Sequence, residues 1–185
     1  MKIKIVYSIL LALFFIGCDS KPQQAQEVKS ENINYRETAK KIVSYTLTTT
    51  KGEKIDLELT DGVLSSKQFK NKMVLVNFWA PWCKPCVKEM PSFVDLQEKY
   101  KDDFVILGVA YDTKTTPENL AIFMEKFKMN FPVTVGEENF RLARDFDDVK
   151  MIPESFFYSK EGLFIKKFVG EISHKVLEEY ITQGK

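Results

Sequence analysis

Cys83 and Cys86 are the residues of this chain best placed to do chemistry, standing within Trp82-Cys83-Lys84-Pro85-Cys86. Two thiols at this spacing, where a buried strand gives way to a helix, readily close a reversible disulfide. A helix starting at about Cys83 leaves its first N–H groups without intrahelical partners. Its dipole adds partial positive charge beside the sulfur, which favours the thiolate. Pro85 suits the first turn, where its missing N–H forfeits no bond. Cys86 lies one turn further in, where it can attack a mixed disulfide formed at the outer sulfur. The positions therefore predict unequal roles, with Cys83 the exposed nucleophile and Cys86 the buried resolving thiol. Lys84 either lowers the Cys83 pKa further or is simply solvated.

The competing readings of two close cysteines are half of a zinc site, a structural staple or a degenerate, inactive copy. A tetrahedral zinc site needs about four ligands, and beyond this pair the chain offers only Cys18 and His174. No metal is expected, and redox exchange is the preferred chemistry.

The elements that must position the pair follow from the pattern of apolar residues. Met73 to Trp79 and Phe104 to Ala110 are nearly continuous apolar runs, as expected of strands covered on both faces. The helix after the cysteines is predicted to bury Val87, Met90, Phe93 and Val94 and to bend at Pro91. Thr116-Pro117-Glu118 reads as a capped helix start, followed by an apolar stripe of Leu120, Phe123, Met124 and Phe127. Strands at Tyr45–Thr49 and Lys54–Leu59 form an edge hairpin around Lys51-Gly52, and a helical turn is expected near Leu64–Phe69. A short strand over Phe131–Val135 and a short helix over Asn139–Phe146 come next. Ser155–Ser159 and Leu163–Val169 pair as strands, and Ser173 caps a last helix burying Val176, Leu177, Tyr180 and Ile181. This alternation predicts an α/β fold: a mixed central sheet flanked by helices, with an N-terminal hairpin and a central helical insert.

With 185 residues and a 44% hydrophobic content, one core and one domain are expected, over residues 43–185. Residues 1–17 read as an export signal: Lys2 and Lys4 precede an apolar stretch, Ile5 to Ile16, too short for a membrane span of about twenty residues. The stretch closes on Gly17-Cys18, which resembles the lipobox of bacterial lipoproteins. That resemblance implies lipidation of Cys18, the alternative being an ordinary cleaved signal. Asp19 resembles the signal that retains lipoproteins in the inner membrane, implying the periplasmic face. Residues 18–42 carry the lipidated cysteine and a polar tether with a reach of roughly 25 Å. Without Lys2 and Lys4 the balance is 25 basic against 26 acidic residues, and near-neutrality with no basic run excludes nucleic acid as a partner.

The stretch VLVNFWAPWCKPCVKEMP, with FVILGVAYD, NFPVTVGE and MIPESFFYSKEGLFIKKFVG after it, resembles the thioredoxin superfamily and, within it, the TlpA/ResA-like lipoprotein reductases. The resemblance spans about residues 43 to 183. It implies a thioredoxin-like fold, Cys83 and Cys86 as the redox pair, and Trp82 as the aromatic at the rim of the site. It also implies a cis bond at Ile152-Pro153, on a loop that faces the disulfide and binds partner backbone. Without it, Pro153 reads as a trans proline starting a strand. Asn77 replaces the buried acid of thioredoxins proper, as in the ResA-like group. Glu89 matches that group's proton-handling glutamate, and its i+3 spacing from Cys86 places it on the same helix face; otherwise it reads as an exposed helix glutamate. Glu154 departs from the threonine of many relatives and puts substrate preference in doubt.

The function expected is that of a membrane-tethered enzyme that reduces disulfides of exported proteins, apocytochrome c being the substrate class implied. A transmembrane thiol carrier supplies the electrons and no cofactor is required. An oxidase or isomerase of the same fold is the alternative. A metal-binding chaperone module is weaker, since its histidine would have to be His174, and a peroxidase weaker still, since the sequence expected around its reactive cysteine is absent.

Overall fold

The computed structural model describes residues 40–184. The expectations for the signal at 1–17, for Cys18 and for the tether up to residue 39 lie outside the described residues. Twelve elements follow: β1 (Ile42–Thr49), β2 (Lys54–Thr60), β3 (Val63–Ser65), β4 (Met73–Trp79), α1 (Lys84–Lys99), β5 (Phe104–Ala110), α2 (Pro117–Lys126), β6 (Val133–Val135), α3 (Glu137–Asp145), β7 (Glu154–Tyr158), β8 (Phe164–Val169) and α4 (His174–Gln183). The strands form one sheet in the order β3-β2-β1-β6-β5-β4-β7-β8. Its centre, β6-β5-β4, is parallel and every other pairing antiparallel.

Every residue of β4 and of β5 is buried, which explains why both read as nearly continuous apolar runs rather than alternating ones. Alternation instead divides the two faces. Met73, Leu75 and Trp79 point to a core shared with Met90, Phe93 and Leu96 of α1 and Leu177 and Ile181 of α4. Val74, Val76 and Phe78 point to a second core with Leu142 and Ala143 of α3 and with Tyr45, Leu47 and Leu57 of the hairpin. Asn77 falls on the α1 side by the same two-residue period.

Several boundaries differ from expectation. Residues near Leu64 form strand β3 on β2 rather than a helical turn. The strand before α3 starts at Val133, because Pro132 offers no ladder N–H. Helix α3 begins at Glu137, and Asn139, buried inside it, bonds back to Ala110 O and Thr134. Helix α1 runs through Pro91. Val87 and Val94 are only half-buried, and Val176 is 38% exposed, because α4 packs through Leu177 and Ile181.

The two ends of the sheet meet. Leu64 N–H donates to Gly162 O (2.8 Å), tying β3 to the β7–β8 turn. Gly162 has φ 81°, and a Cβ there would lie 1.9 Å from the Leu64 carbonyl oxygen. Gly162→Ala is expected to cost about 2 kcal/mol or more, lowering the melting temperature by roughly 5 °C. Gly52→Ala, at the same φ with nothing within 4 Å, should cost only about 1 kcal/mol. Thermal melts of the two variants side by side check the contact.

Candidate active site

The dithiol stands where β4 passes into α1. Cys83 is the N-cap of α1 in extended backbone (φ −78°, ψ 102°), and its Sγ accepts from the Cys86 N–H at 3.3 Å. Sulfur here takes the position usually held by a capping oxygen. Cys83 and Cys86 are joined as a disulfide with Cα atoms 5.2 Å apart. Cys86 is fully buried and Cys83 only 5% exposed. The expected order of accessibility holds, but Cys83 is far more covered than an open loop thiol. The Ile152 carbonyl oxygen lies 3.6 Å from its Sγ, which brings the 152–153 loop onto the disulfide. The Ile152-Pro153 bond is cis.

At the outer rim Trp82 is 59% exposed, and its side chain hydrogen-bonds Asp112 on the segment after β5. Burial alone would raise the Asp112 pKa. Hydrogen bonds from Thr115, the Lys114 N–H and Trp82 outweigh it and hold the carboxyl below its ordinary range. Beside it a cleft of about 240 Å³ opens between Pro81, Pro117, Leu120 and Val135. Its wall is largely apolar, with Asp112 as its one carboxylate.

Behind the pair is Glu89, 1% exposed. Its Oε1 accepts from Asn77 Nδ2 (3.2 Å) and its Oε2 from the Ile172 N–H (3.1 Å). Burial is the largest influence and raises its pKa to about 8, against the lowering effect of those two bonds. The Glu171 charge adds to the rise. Asn77 also donates to Ser155 Oγ (2.9 Å), and its Oδ1 has no partner. The exposed-glutamate reading of Glu89 is thus excluded, and the structure gathers Trp82, Cys83, Cys86, Glu89, Ile152 and Pro153 around one disulfide.

Sequence reasoning missed Ser155, the Ile172 N–H and Asp112. Ser155 reaches Asn77 only because the two are register partners between β7 and β4, a pairing that the sequence leaves open. His174 is removed from this chemistry, its ring nitrogen lying 3.7 Å from carboxylate oxygens of Asp95 and Glu178. Among the described residues no three His, Cys, Asp or Glu side chains are arranged to hold a metal ion.

Comparison with known proteins gives one family model, described as the AhpC/TSA family, matching residues 38–166. The chain is similar to a "Thiol-disulfide oxidoreductase ResA" of Bacillus thuringiensis subsp. konkukian, 30% identical over 98% of this chain and 97% of the relative. It is 33% identical to a protein of the same name from Bacillus cereus, over 80% of this chain and 78% of that one. Among solved structures, a thiol:disulfide interchange protein of the thioredoxin family from Chlorobium tepidum TLS superposes with a TM-score of 0.61. It is 24% identical, covering 76% of this chain and 92% of that one.

Proposed function

This chain belongs to the AhpC/TSA family, beside the thiol-disulfide oxidoreductases named ResA, and from that premise we propose an extracytoplasmic protein-disulfide reductase tethered to the membrane through lipidated Cys18. The observation that carries the proposal is the asymmetry of the pair: Cys83 caps α1 and keeps a small part of its surface exposed (5%), while Cys86 has none.

In the reduced protein the Cys83 thiolate attacks one sulfur of a substrate disulfide. A mixed disulfide forms and the other substrate sulfur leaves as a thiolate, taking a proton from water. The Cys86 thiol then gives its proton to the Glu89 carboxylate and attacks Cys83 Sγ. The mixed disulfide breaks, the second substrate thiolate departs, and the Cys83–Cys86 disulfide remains. Two electrons pass to the substrate and are restored by a transmembrane thiol carrier. The Glu89 pKa of about 8 matches it to accept and return that proton near neutral pH. The 152–153 loop and Trp82 would bind the substrate backbone on either side of the target sulfur.

The signal-like start, Gly17-Cys18 and the polar stretch after it support export and anchoring at the periplasmic face of the inner membrane. Apocytochrome c, whose haem-binding thiols must be reduced, is the substrate class proposed. Cys86→Ser, expressed in the native host, should retain exported partners as mixed disulfides at Cys83. Cytochrome c precursors among them would support the narrow substrate, and a broad set without them a general reductase. Capture of no exported protein would remove the reading. The reduction potential should lie toward about −270 mV; a value near −120 mV would make the protein an oxidase instead.

A further inference from the structure

Glu154 is a carboxylate that the exchange reaction leaves unused. It follows Pro153 directly and is 4% exposed. Lys167 Nζ, on β8, lies 2.9 Å from its Oε2, an ion pair. The same Nζ donates to Asp147 Oδ2 at 3.0 Å and sits 5.2 Å from the Phe156 ring centroid. Burial alone would lower the Lys167 pKa, but the two carboxylates outweigh it and raise it, so the ammonium persists.

Asp147 and Asp148 adopt the left-handed region (φ 59° and 49°) where α3 gives way to the segment leading to Ile152. Glu154 closes that segment by starting β7. One ammonium therefore joins both ends of the stretch 147–154, and from within it the Ile152 carbonyl meets Cys83 Sγ.

We propose that Lys167 is a positioning residue for the dithiol: by clasping Asp147 and Glu154 it holds the Ile152 carbonyl against Cys83 and so sets how readily the outer thiol ionises. A carbonyl oxygen accepts a hydrogen bond from the neutral S–H and repels the thiolate, so a loosened loop leaves a more acidic thiol. The inference rests on the reductase reading only in making Cys83 the reacting sulfur. The other charged groups around Cys83 are Lys84 at the start of α1, Glu89 beneath the pair, the Lys88–Glu171 ion pair (2.9 Å) between α1 and the segment before α4, and Asp112 beyond Trp82. The clasp variants leave all of them in place.

Removing Lys167 alone would strand a buried carboxylate. The first variant is therefore Asp147→Asn: the side chain is 77% exposed and Asn tolerates the left-handed backbone. The second is Lys167→Met combined with Glu154→Gln. In reduced full-length protein carrying Cys86→Ser, the rate of iodoacetamide alkylation of Cys83 is followed against pH. The midpoint should fall by about 0.5 unit in Asp147→Asn and about 1 unit in the double variant, giving roughly three- and tenfold more thiolate below the midpoint. Lys167→Arg should keep the original midpoint. Superposable midpoints in variants with native near-ultraviolet circular dichroism would overturn the clasp, and Asp147→Asn decides alone if the double variant does not fold. Failure of the parent protein to reduce disulfides would remove the reductase while leaving this comparison intact.

Discussion

Cys83→Ser is expected to lower the rate of protein-disulfide reduction by about 10³-fold or more, because a hydroxyl at the helix start is neither ionised near neutral pH nor able to form an S–S bond. Cys86→Ser should behave differently, reacting once and stopping as a mixed disulfide. A turnover assay with an excess of disulfide substrate, read beside a single-turnover burst, separates the two outcomes. In the reduced parent protein Cys83 should be alkylated about tenfold or more faster than Cys86, since burial withholds both access and charge from the inner thiol. Equal rates would dissolve the assignment of roles, because the disulfide alone does not say which sulfur meets substrate.

Glu89→Gln should alter stability and kinetics in opposite directions. The carboxyl has a pKa of about 8 in the folded, oxidised protein against an ordinary value of 4.5, so between those values the native state holds a proton that the unfolded chain releases. Stability then falls as pH rises from about 4.5 to about 8 and is level above, a loss of about 3–5 kcal/mol. Gln carries no such charge. Its amide can donate to Asn77 Oδ1, which lacks a partner in the native protein, once the Asn77 amide turns over. The variant should therefore be more stable than the parent by about 3 kcal/mol at pH 9 and nearly equal at pH 4.5. Urea titrations of the oxidised proteins at several pH values test this; parallel curves would mean that Glu89 is ionised in the fold like an exposed carboxylate. Resolution of the mixed disulfide should slow by about 10²-fold, and its pH dependence near 8 should vanish, because the proton acceptor is gone.

The layers of the fold and the helix-capping dithiol were legible because both rest on local patterns. β4 and β5 announce themselves as nearly continuous apolar runs, Thr116 and Ser173 cap their helices as their types require, and Pro85 opens α1. What was not legible depends on register and on distant chain segments. Leu64 lies in a strand because β2 lies beside it, although its own neighbours read as a turn. Ser155 and Lys167 gain their roles only after β7 pairs with β4 and β8. Glu89 shows the same limit from the other side: spacing puts it on the cysteine face of α1, but the depth that moves its pKa comes from α4 and the loop before it closing over that face.

With one sulfur sealed and the other almost covered, the disulfide is insulated as well as poised. Small thiols in bulk solvent have almost no line of attack, because displacement at sulfur demands approach along the S–S axis. A partner able to seat its own backbone beside Ile152 gains that approach by fitting. Electron flow is thus governed by shape before it is governed by voltage, so that the oxidised centre takes electrons from a partner that fits rather than from any thiol in solution.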